Sequence, residues 1–90
     1  MTIGRKVRIY GRVQGVFFRQ WTLGEANALG VSGWVRNCPD GTVEALLIGE
    51  EAALDRMAQT LWDGPSQARV EDVVVRDVEP EEIQGFSVRV

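Results

Sequence analysis

The sequence predicts an α+β domain in which two helices cover one face of a mostly antiparallel sheet. Three observations lead to this prediction. The chain has 90 residues, which suits a single domain over residues 1–90 and leaves no room for a second core. Its hydrophobic spacing switches repeatedly between the period of a strand and that of a helix. Turn signals rich in glycine and proline separate these segments, without a repeat or a linker.

The first half of the chain predicts a strand, a helix and a hairpin. Lys6 to Val13 alternates apolar and polar residues, which is typical of a half-buried strand. A helix follows from about Phe18, because apolar residues then recur at helical spacing, and Gly30 is placed to end it. Residues 31–48 predict two strands joined by the Pro-Asp-Gly turn at 39–41.

The second half predicts one more helix and two strands. The helix begins near Gly49, with acidic residues at its positive end, and stops at the Asp-Gly-Pro sequence of residues 63–65. Strands are predicted at 68–76 and at 86–90, the last with Phe86, Val88 and Val90 facing inward. This βαββαβ order with a short extra C-terminal strand is that of a ferredoxin-like α/β sandwich. The fold alone decides no function.

Composition excludes several kinds of site. There is no histidine, and Cys38 is the single cysteine, so imidazole catalysis, an internal disulfide and a Cys-rich zinc site are ruled out. No apolar run approaches the roughly 18 residues of a membrane span, and the cysteine usage fits a reducing, cytoplasmic setting. A net charge of −3 argues against nucleic acid as the main partner.

The segment from Gly15 to Arg19 is the first candidate for chemistry. It links the first strand to the first helix, and backbone N–H groups at such a junction can converge on one anion beside the positive helix end. Gly15 permits an unusual backbone angle, and Arg19 adds a planar charged fork that matches phosphate oxygens. The alternative is an ordinary strand–helix connection with a solvated arginine.

The second candidate is Asn37, at the end of the second strand. Its side-chain amide could orient a water molecule or a substrate oxygen, although asparagine is also common before tight turns for backbone reasons. The neighbouring Cys38 should face the other way and act as a small buried hydrophobe.

Together these residues resemble the acylphosphatase family. One motif is Ile-x-Gly-x-Val-Gln-Gly-Val-x-Phe-Arg at residues 9–19, and the other is Gly-Trp-Val-Arg-Asn-x-x-x-Gly-x-Val at residues 33–43. A later Gly-Pro-x-x-Ala-x-Val at residues 64–70 is also similar. The resemblance spans about the whole chain, and the first motif is long and specific.

The resemblance implies a hydrolase that cleaves the carboxyl–phosphate bond of acyl phosphates, releasing a carboxylate and inorganic phosphate without a metal or cofactor. It implies that Asn37 positions the attacking water. It also implies that the loop backbone and the Arg19 side chain hold the phosphate, through Gly15, Val16, Phe17, Phe18 and Arg19. The expected partners are therefore a small-molecule acyl phosphate and inorganic phosphate, the latter also as an inhibitor. We expect a monomer with no nucleic-acid or membrane partner.

Three other functions stay open at this point. A non-catalytic anion-binding module on the same fold would bind phosphate, but it has no need of Asn37. An RNA-binding domain would place aromatic and basic residues on the open face of the sheet, which Tyr10 and Arg8 favour and Glu44 opposes. A domain of a larger carbamoyl-transferring maturation protein is disfavoured by a 90-residue chain that starts at Met1 and has no Cys-rich zinc segment.

Overall fold

The predicted order of elements is confirmed in the computed structural model, which describes residues 1–90. The strands are β1 (Thr2–Arg12), β2 (Ser32–Asn37), β3 (Val43–Glu50), β4 (Arg69–Val78) and β5 (Phe86–Arg89), and the helices are α1 (Phe18–Leu29) and α2 (Glu51–Asp63). The five strands form one sheet in the order β4-β1-β3-β2-β5. Only the β2–β5 pair is parallel, so the sheet is mostly antiparallel.

Both helices pack on the same face of this sheet. The register places Val7 opposite Ala45 and Ile9 opposite Val43, and all four side chains are buried beneath the helices. The helices contribute the apolar stripes that their spacing predicts, with one buried threonine. The buried helical residues are Phe18, Thr22 and Ala26 in α1, and Leu54, Met57 and Leu61 in α2. Neither helix has the length and apolar character needed to cross a membrane.

Several element ends differ from the predicted ones. β1 begins at Thr2 rather than Lys6, because β3 continues to Glu50 and pairs with the whole of the earlier segment. Val90 was predicted to face inward, but it lies beyond the end of β5 and is fully exposed. The alternation of apolar and polar residues predicts which side chains of a strand face the core. The ends of the strand depend instead on how far the neighbouring strand extends.

The opposite face of the sheet carries a cluster of paired charges, Arg8, Arg36 and Glu44, which we call the open-face cluster. Glu44 as a whole residue is only 8% exposed. It accepts hydrogen bonds from Nε and Nη2 of Arg36 at 3.0 and 2.8 Å, and from Nη2 of Arg8 at 3.2 Å. These three side chains lie on neighbouring strands in register, so the sheet itself sets their spacing.

Candidate active site

The loop between β1 and α1 has an unusual backbone. Gly15 has a φ of 74°, and Phe17 has a φ of 63° and a ψ of 23°, so both lie in the left-handed region. Phe17 is the N-cap residue of α1 and is the only non-glycine residue in the chain with a positive φ. Glycine adopts such angles freely, whereas a residue with a Cβ is strained there.

This backbone leaves a run of amide groups without protein partners. The first backbone hydrogen bond of the α1 turn runs from the Trp21 N–H to the Phe17 carbonyl at 3.0 Å, and no amide from Gly15 to Gln20 donates to another backbone group. No side chain caps the helix either. Unpaired N–H groups at a helix N-terminus, together with the helix dipole, form a favourable environment for an anion.

A cavity of about 410 Å³ lies beside this loop. Five of the predicted site residues line it, namely Gly15, Phe17, Phe18, Arg19 and Asn37. The sixth, Val16, has its side chain buried in the core and can contribute only through its backbone. Val13, Gln20 and Val88 complete the lining, which includes no carboxylate.

The largest cavity of the molecule is elsewhere and is less suited to an anion. It measures about 750 Å³ and is lined by residues at the far ends of β2 and β3 and by the segment 80–84. Glu50, Glu81 and Glu82 contribute carboxylates to it. Because these negative charges would repel a phosphate group, the smaller cavity beside the α1 N-terminus is the candidate active site.

Arg19 is held in the cavity by the edge of the sheet. It lies in the first turn of α1 and is half-buried, and its Nη1 donates to the carbonyl of Arg89 at 3.1 Å. No carboxylate pairs with it. A guanidinium has five N–H donors, so one bond to a carbonyl fixes its position and leaves most of the fork available to a ligand.

The backbone of Asn37 is positioned by its pairing with Val43 and by the turn that follows it. The side-chain amide of Gln14 donates to the carbonyls of Cys38 and Thr42 at 2.8 and 2.9 Å, which fastens this turn to the start of the loop. The Cys38 N–H closes the turn on the Thr42 carbonyl at 2.8 Å. Gln14 therefore links the two parts of the site, since it directly precedes Gly15. As expected, Cys38 itself is buried.

Two carboxyl groups near this turn, those of Asp40 and Glu44, have lowered pKa values. The Thr42 hydroxyl and backbone N–H both donate to Asp40, and these hydrogen bonds hold the pKa of the Asp40 carboxyl below its ordinary value. For Glu44, burial raises the pKa, but the hydrogen bonds and charge of Arg36, together with the charges of Lys6 and Arg8, outweigh it, so that the pKa is again below the ordinary value. Both carboxylates are consequently ionised at neutral pH and lie outside the lining of the candidate site.

Sequence reasoning missed five residues of the site: Val13, Gln14, Gln20, Val88 and Arg89. Val88 and the Arg89 carbonyl reach the site because β5 pairs with β2 in parallel, and no periodic pattern reveals which strand will be the neighbour of β2. Gln14 lies inside the first motif, but its two carbonyl partners come from a distant turn. Gln20 follows Arg19 in the first turn of α1. Its place in that turn, next to the predicted phosphate-binding loop, could have identified it as a site residue.

Comparison with known proteins identifies the family of the chain. A family model described as acylphosphatase matches residues 5–88. The chain belongs to the acylphosphatase family. An acylphosphatase of Nitrosococcus oceani is 57% identical over 81 residues, covering 90% of this chain and 91% of that protein.

Solved acylphosphatase structures have the same fold. The acylphosphatase from Coxiella burnetii superposes with a TM-score of 0.95 at 36% identity, covering 98% of this chain and 93% of that chain. The one from Bacillus subtilis also gives 0.95, at 34% identity and with both chains fully covered. The resemblance and the ferredoxin-like fold predicted from the sequence are therefore confirmed. Acylphosphatase family membership favours a hydrolase over a non-catalytic anion-binding module.

Proposed function

We propose that the protein hydrolyses the carboxyl–phosphate bond of acyl phosphates in the cavity beside α1. The observation that carries this proposal is the convergence of three kinds of group on one cavity without carboxylates. These are the unpaired loop amides, the Arg19 guanidinium and the Asn37 side chain. Phosphoryl transfer depends mainly on positioning and charge stabilisation, and these groups supply both.

In this proposal the loop binds the phosphoryl group of the substrate. Its oxygens accept hydrogen bonds from the amides of residues 15–19 and from Arg19, while the α1 dipole adds positive potential. Hydrogen bonds to a charged group contribute about 1.5–3 kcal/mol each, and more where water is excluded. The Arg89 carbonyl keeps the Arg19 fork in place, so little reorganisation is required as charge develops on the phosphoryl oxygens.

Asn37 orients the attacking water. Its side-chain oxygen accepts a hydrogen bond from the water, which aims the water oxygen at phosphorus. The phosphorus–oxygen bond to the acyl group breaks, and its electron pair stays on the departing carboxylate. Because this carboxylate is a good leaving group, no general acid is required. The lining of the cavity includes no histidine or carboxylate, so the proton of the water passes to a phosphate oxygen of the substrate.

We propose that this reaction needs no metal ion. Magnesium prefers carboxylate, phosphate and water oxygens, whereas the protein groups around this cavity are amides and a guanidinium. The product, inorganic phosphate, is expected to compete with the substrate for the same loop. Its inhibition should weaken as salt is added, because part of the attraction is long-range.

The remaining proposals concern the state of the protein. We propose that residues 1–90 form one domain that acts as a monomer in the cytoplasm, with acyl phosphate and phosphate as its partners. The single core cluster beneath the helices supports one domain. The one unpaired buried thiol, Cys38, fits the reducing conditions of the cytoplasm. No nucleic-acid partner is proposed, since Arg8 and Arg36 are paired with Glu44 and Trp34 is only 8% exposed for base stacking.

The test is release of inorganic phosphate from benzoyl phosphate, measured with and without a chelator. We expect hydrolysis far above the spontaneous rate, unchanged by the chelator and inhibited competitively by phosphate. Phosphate binding without hydrolysis would instead establish the anion-binding module. A rate abolished by the chelator would contradict metal independence alone.

A further inference from the structure

Phe17 combines two unfavourable features. The residue is 77% exposed to solvent, and its backbone lies in the left-handed region that only glycine enters freely. Strain of this kind persists where the surrounding structure imposes it, and it is concentrated at functional sites. A glycine at this position would allow the same turn without strain and without an exposed apolar ring.

Phe17 lies in the lining of the candidate active site, where a bound substrate can contact its ring. Phe17 lines the same cavity as Arg19 and Asn37, and Val88 adds a second, partly buried apolar side chain to the lining. A phosphate group has five heavy atoms, so at about 30 Å³ for each atom it fills only about a third of this 410 Å³ cavity. Because half of the lining residues are apolar, the remaining space suits an apolar acyl group.

We propose that Phe17 is a specificity-determining residue that selects acyl phosphates whose acyl group is apolar and, above all, aromatic. This inference rests on the function proposed above. With the phosphoryl group on the loop amides, the acyl group packs against the Phe17 ring. Because Phe17 also belongs to the amide loop, one short segment fixes the distance between the phosphate site and the apolar surface.

Exposure alone would not support this inference, since single exposed apolar residues are common on protein surfaces. Trp62 on α2 is an example, with 49% exposure, ordinary helical backbone and no place in the lining of the cavity. Phe17 differs from it by its backbone strain and by its place in the candidate site. Trp62 therefore provides a matched control.

The experiment compares kcat/KM for benzoyl phosphate and for acetyl phosphate in the wild-type protein and in four variants. The measured quantity is the ratio of the two values, because damage to the amide loop affects both substrates and cancels in the ratio. We expect Phe17→Ala to lower the benzoyl-to-acetyl ratio about three- to tenfold, the range gained by an aromatic pair, mainly by raising KM for benzoyl phosphate. Trp62→Ala should leave the ratio unchanged.

Two further variants distinguish the effect of the Phe17 ring from the effect of its backbone strain. Phe17→Gly relieves the strain but removes the ring, so it should lower the ratio as much as Phe17→Ala does. Phe17→Tyr retains the ring and should keep the ratio within about twofold. A ratio that is the same in the wild type, Phe17→Ala and Phe17→Gly would overturn the specificity role. If the wild type hydrolyses neither substrate, the proposed function fails, and this result is distinct from an unchanged ratio.

Discussion

The candidate active site and the open-face cluster use the same side chain, arginine, in opposite ways. In the open-face cluster, Arg36 and Arg8 share the nearly buried carboxylate of Glu44, and Arg8 also donates to the Thr42 hydroxyl at 2.9 Å. In the candidate site, Arg19 has a single carbonyl partner, and the amides of the adjoining loop have none in the backbone.

This difference shows how the chain separates stability from function. A buried carboxylate surrounded by cations gives a stable, neutralised cluster that has little attraction left for a ligand. Unpaired amides and a free guanidinium fork are unfavourable for the isolated protein, but they are already positioned for the charge of a phosphoryl group. Substitutions in the two regions should therefore affect different measured quantities.

The largest expected effect is that of Arg19→Ala. Loss of the one cation in the cavity lining should lower kcat/KM for benzoyl phosphate by at least about 100-fold. Arg19→Lys should recover only part of the loss, because a point charge replaces a planar fork. The matched control is Arg36→Ala, which should stay within about threefold of the wild type in kcat/KM. Equal effects of the two alanine variants would remove the distinction between the regions.

Asn37→Ala tests whether Asn37 orients the attacking water while other groups bind the phosphoryl group. If Asn37 orients water and not the phosphoryl group, kcat should fall by about 10- to 100-fold while the dissociation constant for inorganic phosphate stays near that of the wild type. Steady-state kinetics and calorimetric titration with phosphate measure the two quantities. A parallel loss of phosphate affinity would make Asn37 a phosphate ligand instead.

Glu44→Gln is expected to affect stability rather than catalysis. Removing the shared carboxylate leaves Arg8 and Arg36 side by side, and the free energy of unfolding should fall by about 1–3 kcal/mol. Chemical denaturation measures this loss, while kcat/KM should remain within about threefold. A large loss of activity without a loss of stability would place Glu44 in the reaction.

Glu44→Gln should also change how the free energy of unfolding depends on pH. The pKa of Glu44 lies below its ordinary value of 4.5 in the folded protein, so its charge stabilises the fold above that pH. This contribution is lost as the pH falls from about 4.5 through the lower, folded-state pKa. The unfolding free energy of Glu44→Gln should therefore decline less steeply with acid than that of the wild type. Identical slopes would show that the Glu44 ion pairs contribute nothing.

The smallest expected effect is a gain in stability. Gly24 is an exposed residue within α1, and a Cβ atom built there meets nothing within 4 Å. Gly24→Ala should therefore raise the free energy of unfolding by about 0.5–1 kcal/mol, because alanine loses less conformational entropy on forming the helix. Thermal melting measures the gain, and kcat/KM should not change. Destabilisation would mean that Gly24 has a packing role not evident from its surroundings.

Local patterns in the sequence predicted most of the fold and marked the loop and the strand end that line the candidate site. The alternation around Val7 and the helical spacing after Phe18 identify the buried faces, and the glycine-containing junction identifies the loop that lines the cavity. The pairing of β5 with β2 could not be predicted, because it depends on tertiary packing, and so Val88 and the Arg89 carbonyl were missed. The left-handed backbone of Phe17 was missed because residue type predicts a positive φ only for glycine and a few polar residues.

The most direct test of the central claim is a titration of the 15N-labelled protein with inorganic phosphate, followed through backbone amide chemical shifts. If the loop holds the phosphoryl group, the largest shifts should occur at residues 15–20, with a smaller change at Asn37 and little change at Arg36 and Glu44. Arg19→Ala should show the same shifts only at much higher phosphate concentrations. Shifts centred on the open-face cluster, or a titration unaffected by Arg19→Ala, would contradict the account.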